Sequence, residues 1–381
     1  MGRARGRNEI QWKYRVAPRL YLDHAATTPM LPVAAEAVVR GLAGWANPSS
    51  PHAEGRAARA MLESARNVLK SAYRWPGELL FTSGATESIA MALQRAQVAS
   101  VLISVTEHDA VLRAAPDAIR LGVHHDGQIL LSALDAALAA APAPALVAVQ
   151  WANSETGVIQ PLREIAERVK AAGGKLFVDA AQMPVGWTED SPVEFADMIA
   201  ISGHKRAGPA GIGGLLVRDL GLLLPTGGQE RGYRGGTENV PAALGFAAAA
   251  MVPEDLAALA TMRTRLDSAI VSLGGEVVAG PSPRCPHIAS YRLPGLSAAA
   301  QLIRFDMAGI AVSAGSACSS GSMRPSHVLA HMGWQSAAAS EVIRVSFGRS
   351  TTPADVERFI GAWAEIARET RARAVTAEEL V

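Results

Sequence analysis

The sequence predicts an α/β protein: a large domain on a mostly parallel sheet sandwiched by helices, joined to a smaller α+β domain. Two observations predict this. Between residues 58 and 220, short uniformly apolar runs alternate with stretches of helical periodicity. Strands buried on both faces and linked by crossover helices give that pattern. After about residue 252 the texture changes to long amphipathic helices with a few short strands. The expected boundaries are 30–252 for the large domain, with 1–29 and 253–381 forming the small one.

In chain order, residues 58–73 (ARAMLESARNVLKSAY) have helical spacing, 78–82 (ELLFT) read as a strand and 85–96 as a helix. Residues 101–105 are a strand, 131–141 a helix, and 145–151 (ALVAVQW) a strand. Residues 161–173 form a helix stopped by glycine, and 175–180 (KLFVDA) a strand. Residues 198–202 and 213–217 are further apolar β-type runs. In the second part, 253–274 is one long amphipathic helix, 287–293 and 342–348 are strands, and 352–373 is a final helix with a threonine cap.

Composition excludes several classes of function. The net charge is +1, so no bulk field favours nucleic acid or an anionic membrane. The longest uncharged stretch, after Asp135, is broken by Pro142 and Pro144, whereas a membrane span needs roughly 18 unbroken apolar residues. The first 20 residues carry six basic side chains and one acidic one without an apolar run, which reads as a solvated basic tail or a partner-binding arm. Two cysteines cannot build a disulfide framework or a four-cysteine zinc site. The expected compartment is the reducing cytoplasm. His327 and His331 lie four apart on a helix, but no third ligand accompanies them, and no metal site is expected. Cys285 reads as structural.

Cys318 is different. It sits in SAGSACSSGS (313–322), where small residues make a loop that would not bury a thiol. Three further signals have chemistry. Lys205 follows an apolar strand in SGHKRAGPAGIGG (202–214), where a desolvated amine is a nucleophile toward aldehydes; a surface lysine in a turn is the bland alternative. Asp179 ends a very apolar strand, with Gln182 three residues on; it either caps a helix or pairs with a protonated ring nitrogen. Ser83-Gly84-Ala85-Thr86 joins a strand to a helix N-terminus, which suits either an ordinary cap or a phosphate. All three can converge at one edge of a parallel sheet, and together they point to pyridoxal 5'-phosphate.

The motifs YLDHAATTP (21–29), TSGATES (82–88), TEHDAV (106–111), ANSETGVIQP (152–161), VDAAQ (178–182), GGQERGYRGGTEN (227–239) and IRVSFGRSTT (343–352) occur in order with the lysine and cysteine segments above. Together they resemble the cysteine desulfurases of the nitrogen-fixation and iron–sulfur-cluster type, fold-type I pyridoxal phosphate enzymes of the class V aminotransferase family. The resemblance covers about residues 20–365. It implies a seven-stranded-type sheet and a homodimer with shared sites. It implies Lys205 as the Schiff-base lysine, Asp179 as partner of the ring nitrogen, and Asn153 and Gln182 near the ring hydroxyl. It implies Ala85, Thr86, Ser202 and His204 as phosphate binders, with Thr237 reaching the partner's phosphate. His108 is implied to stack on the ring and carry protons, and Arg344, with Asn153, to bind the substrate. Cys318 is implied to take sulfur from L-cysteine, leaving L-alanine and a persulfide for a sulfur-acceptor protein (a cluster scaffold or a sulfur carrier), with transient iron–sulfur cluster ligation on a scaffold complex. The chain departs from the usual pattern at Arg206, Ala207 and GPAG (208–211), and its C-terminus does not resemble a scaffold-docking tail. Rival readings are a selenocysteine lyase, an aminotransferase, and a binding module without turnover.

Overall fold

The computed structural model describes residues 19–315 and 325–378. The basic tail and Cys318 lie outside the described residues. In chain order the elements are β1 (Leu20–Tyr21), α1 (Pro32–Ala43), α2 (Ala53–Ala72), β2 (Glu78–Thr82), α3 (Ala85–Arg95), β3 (Ser100–Ser104), α4 (Asp109–Ala114), β4 (Ile119–Leu121), α5 (Leu131–Ala140), β5 (Ala145–Gln150), α6 (Leu162–Ala171) and β6 (Lys175–Asp179). They continue with β7 (Met198–Ser202), β8 (Gly213–Val217), α7 (Val240–Ala250), α8 (Leu256–Ser272), β9 (Glu276–Val277), β10 (Ile288–Arg292), α9 (Ala298–Met307), β11 (Ile310–Ala311), α10 (His327–His331), α11 (Ser336–Ala339), β12 (Val342–Ser346) and α12 (Pro353–Glu378).

Seven strands form the central sheet in the order β2-β8-β7-β6-β5-β3-β4. Only β8 runs against its neighbours there; the remaining pairings are parallel. The sheet is buried on both faces, and side chains alternate between two cores. Val147 and Val149 of β5 join Val178, Ile199 and Ile201 on one face, while Leu146 and Ala148 join Phe177, Ala200 and Leu215 on the other. This period of two explains why strands such as β2 and β6 are apolar at successive positions between polar ends. The first face is covered by α2, α6 and α7, and the second by α3 and α4.

A separate core packs a three-stranded antiparallel sheet, β12-β10-β9, against α8, α9 and α12. Phe305, Phe359 and Trp363 stack at its centre. Leu20 and Leu22 belong to this second core although they begin the chain. β1 pairs with β11, and Leu22 receives the backbone N–H of Ser346 at 2.8 Å. No helix among the described residues is long and apolar enough to cross a membrane.

Candidate active site

The carboxyl ends of the parallel strands meet in a cavity of about 370 Å³. Gln150 ends β5, Asp179 ends β6 and Ser202 ends β7, and all three line it, as do Ala85, Thr86, His108, Gln182, His204, Lys205 and Arg344. An open α/β sheet presents its ligand crevice at this edge.

The β2–α3 turn is shaped by two glycines. Gly84 has φ +154°, a conformation that suits glycine. A Cβ on Gly213 would fall 2.7 Å from the backbone of Gly84, so the turn lies directly on β8. No side chain caps α3. The leading amides at Ala85 and Thr86 therefore face the cavity with the helix dipole behind them. Glu87 instead folds back to the Ser83 N–H and is held there by Arg234 Nε at 2.9 Å. Burial pushes the Glu87 carboxyl up, but these hydrogen bonds outweigh it and hold it below the usual range.

Lys205 stands in a short 3₁₀ turn after β7. The DHAATTP segment steadies that turn. The Thr28 N–H donates to the His204 carbonyl at 2.9 Å, the Thr28 hydroxyl to the Lys205 carbonyl at 3.3 Å, and Thr27 Oγ1 meets His204 Nδ1 at 3.2 Å. Burial, reinforced by Lys205, pushes the His204 imidazole down. Asp179 is 8% exposed and accepts the Ala181 N–H at 3.0 Å. Gln182 Nε2 donates to the Ala25 carbonyl at 2.9 Å, leaving its Oε1 buried without a protein partner.

His108 is the N-cap of α4; its Nδ1 accepts the Ala110 N–H at 3.1 Å. Burial, then Lys205, lowers its pKa, so the ring is neutral near pH 7. With Nδ1 engaged as acceptor, the proton of the neutral ring sits on Nε2. Arg344, only 2% exposed, donates from Nη1 to the Ser154 carbonyl at 2.9 Å and from Nη2 to Asp23 Oδ1 at 2.8 Å. Its Nε keeps no partner among the described residues.

Asn153 lies in an adjoining pocket of about 60 Å³, which shares His108, Ser154 and Arg344 with the larger cavity. Its Oδ1 accepts the N–H groups of Glu155 and Thr156, both at 2.9 Å, and its Nδ2 donates to the Thr106 carbonyl at 3.1 Å. Thr237 is exposed and does not line the cavity of its own chain. His52 caps α2 by accepting the Gly55 N–H, and His24 is buried beside Tyr21. Neither lines this cavity. His327 points Nε2 at the Glu107 carbonyl at 3.0 Å, and no metal-binding group of three or more His, Cys, Asp or Glu occurs among the described residues. Cys285 is buried, and burial pushes its thiol up to about 11.

Three acids escaped the reading of the sequence, Asp23, Glu107 and Glu155, while Glu87 reads there only as a first-turn acid of the helix. Glu107 is fully buried and accepts the Gln150 N–H at 2.9 Å; burial, with Asp179 nearby, pushes its carboxyl well up. A carboxylate just past an apolar strand was the available signal, the same one that exposed Asp179.

The donor set fits pyridoxal phosphate. The uncapped α3 amides and the buried, unpartnered Ser202 hydroxyl suit a phosphate. Asp179 suits a protonated ring nitrogen, the unpartnered Gln182 Oε1 suits a hydroxyl, and Lys205 suits an aldehyde carbon. The family model "Aminotransferase class-V" matches residues 20–359. A cysteine desulfurase from Cereibacter sphaeroides is 36% identical, over 93% of this chain and 97% of its own length. The solved NifS-like protein of Rickettsia africae superposes with a TM-score of 0.81 at 30% identity, covering 92% of this chain and 99% of that one. The structure of SspA in complex with cysteine matches with a TM-score of 0.74 at 26% identity, over 87% and 100% of the two chains.

Proposed function

Because the chain belongs to the class V aminotransferase family, among its cysteine desulfurases, we propose that it removes sulfur from L-cysteine and holds it as a persulfide on Cys318. The enzyme uses pyridoxal phosphate, as this family does. When bound, that group supplies the electron sink for negative charge developing at the substrate α-carbon.

The chain's own residues divide the remaining work. The α3 amides, Ser202 and His204 would hold the phosphate, Asp179 would keep the ring nitrogen protonated, and Lys205 would hold the aldehyde carbon. Arg344 receives the substrate carboxylate, for which its unpartnered Nε is oriented by Asp23 and the Ser154 carbonyl. Once the substrate amine has displaced it, the freed Lys205 amine takes the α-proton. His108 lines the same cavity and serves as a second proton carrier. The Cys318 thiol gives up its proton, and its sulfur attacks the substrate sulfur. One S–S bond forms and the substrate Cβ–S bond breaks. The electron pair of that bond stays on Cβ and takes a proton, and return of the proton to Cα completes L-alanine.

The observation that carries this reading is the convergence of Lys205, Asp179, Arg344 and the uncapped α3 N-terminus on one cavity. The proposed boundaries are 30–252 for the cofactor domain and 1–29 with 253–381 for the small one. Two largely separate cores support the division, with Ala25, Cys285 and Ile288 packing into the larger core. The exposure of Thr237 supports a homodimer in which it serves the partner's phosphate. The further reading is a cytoplasmic enzyme delivering sulfur to an acceptor protein for iron–sulfur cluster assembly or tRNA thiolation. L-alanine release from L-cysteine with added reductant tests the core of it. Alanine from the wild type, with little from Cys318→Ala, is expected. Equal release from both would make the loop cysteine a bystander.

A further inference from the structure

The two chain ends that bracket residues 316–324 converge on one carboxyl group. Before the segment, Ser313 and Arg344 exchange both backbone hydrogen bonds, at 3.1 and 2.7 Å. After it, the Ser326 hydroxyl donates to Glu155 Oε2 at 2.5 Å and accepts the Leu329 N–H at 3.1 Å, capping α10. A Cβ placed on Gly315 would stand 3.3 Å from Ser326 Cβ and 3.6 Å from Glu155 Oε2. Gly315 and Ser326 are thus neighbours, and both lie beside the Glu155 carboxyl.

Glu155 is itself fixed. Its N–H donates to Asn153 Oδ1 at 2.9 Å, and its carbonyl accepts the Ser290 hydroxyl at 2.7 Å. The preceding carbonyl, of Ser154, holds Arg344. The acid is buried, and burial pushes its carboxyl up despite Ser326, His327 and Arg344. Asp109 acts on it in the same upward direction. A buried acid is costly to keep. Here it ties the substrate-carboxylate seat to the end of the chain segment that bears the nucleophile. Cys318 follows Gly315 by three residues, and three residues of chain span at most about 11 Å. Gly315 is therefore the described backbone from which the segment bearing Cys318 extends.

We propose that Glu155 is a positioning residue for sulfur transfer, acting through Ser326. The proposal rests on the desulfurase reading above. The test compares Glu155→Ala, Glu155→Gln and Ser326→Ala as holoenzymes, by steady-state kinetics and by the rate at which iodoacetamide alkylates Cys318 without substrate. Cys285 is buried and does not compete. Glu155→Ala and Ser326→Ala should each lower kcat by about tenfold, since small misplacements of reacting groups are this costly. KM for L-cysteine should stay within about twofold, because Arg344 is untouched. Alkylation should become faster. Glu155→Gln keeps an acceptor for the Ser326 hydroxyl and should retain most of the activity. Unchanged kcat and alkylation in Ser326→Ala would overturn the proposal, even with Glu155→Ala impaired. If Glu155→Ala does not fold, Ser326→Ala and Glu155→Gln decide it alone. A wild type releasing no alanine would sink the desulfurase reading instead, and the alkylation rates would still report on the stem.

Discussion

Arg344 and Asp23, 321 residues apart in the chain, form a 2.8 Å ion pair in the wall of the cavity. The pair turns a mobile guanidinium into a fixed fork. Lysine would keep the charge and lose the fork. Arg344→Lys is expected to raise KM for L-cysteine by roughly 10- to 100-fold, the worth of a charge-assisted hydrogen bond. Cofactor absorbance should be unaffected. An unchanged KM would remove Arg344 from substrate binding.

His108 has two separable roles. As N-cap it stabilises α4, and as a ring it faces the cavity. Asparagine can cap but cannot carry protons, whereas alanine does neither. His108→Asn should hold its stability while kcat falls on the order of 100-fold, as for loss of a proton carrier. His108→Ala should lose the same activity and about 1 kcal/mol of stability besides. Urea unfolding and alanine release, measured on both variants, separate the two effects.

Arg66 and Glu230 form a buried pair at 2.7 and 3.0 Å, and Glu230 also accepts the Phe81 N–H. Removing Glu230 leaves the buried Arg66 with only half-buried Glu63 and the Leu79 carbonyl to compensate its charge. Glu230→Ala should cost about 3–5 kcal/mol. Glu357→Ala, which breaks the exposed pair with Arg265, should cost less than about 1 kcal/mol. Denaturation midpoints of the two variants give the comparison, and equal losses would contradict it.

Acid should weaken the fold through His24. Burial pushes its imidazole down from 6.5 to about 4. Between those values the unfolded chain holds a proton that the folded chain refuses. Stability present above pH 6.5 is therefore lost as pH falls toward 4, by on the order of 3 kcal/mol from this group. His287 is shifted in the same direction. The stability of His24→Asn should change less than that of the wild type across this window, and parallel curves would exclude His24 as a source. Gly348→Ala adds a steric test, because its Cβ would run into the His24 ring; a loss of about 1–3 kcal/mol is expected.

Six of the seven sheet strands were legible because burial on both faces leaves an unbroken apolar run between turn residues; the edge strand β4, three residues with Ile119 and Arg120 exposed, was not. The predicted strands 78–82, 198–202 and 213–217 match the observed spans to the residue. Direction was not legible: nothing in GGLLV says that β8 runs against its neighbours. α7, VPAALGFAAAA, has hardly a polar side and is mostly buried, so it offered no amphipathic stripe to read. Lys205, Asp179 and the Ser83–Thr86 turn stood out because each is a polar group at the end of an apolar run. Asp23 and Glu155 did not, because their partners Arg344 and Ser326 lie far along the chain and no local pattern marks such a pairing.

The placement of Leu20, Leu22 and Asp23 among residues from the far end of the chain has a consequence for how the protein is made. A ribosome adds roughly 5–20 residues per second, and the parts that can fold early do so. By residue 250 the seven-stranded sheet, Lys205, Asp179 and the phosphate cradle have all been synthesised. Leu20 and Leu22 must still wait for β11 and β12, and Asp23 for Arg344. The nascent chain thus completes the proposed cofactor seat well before the proposed substrate seat, and an unfinished polypeptide carries the former without the latter.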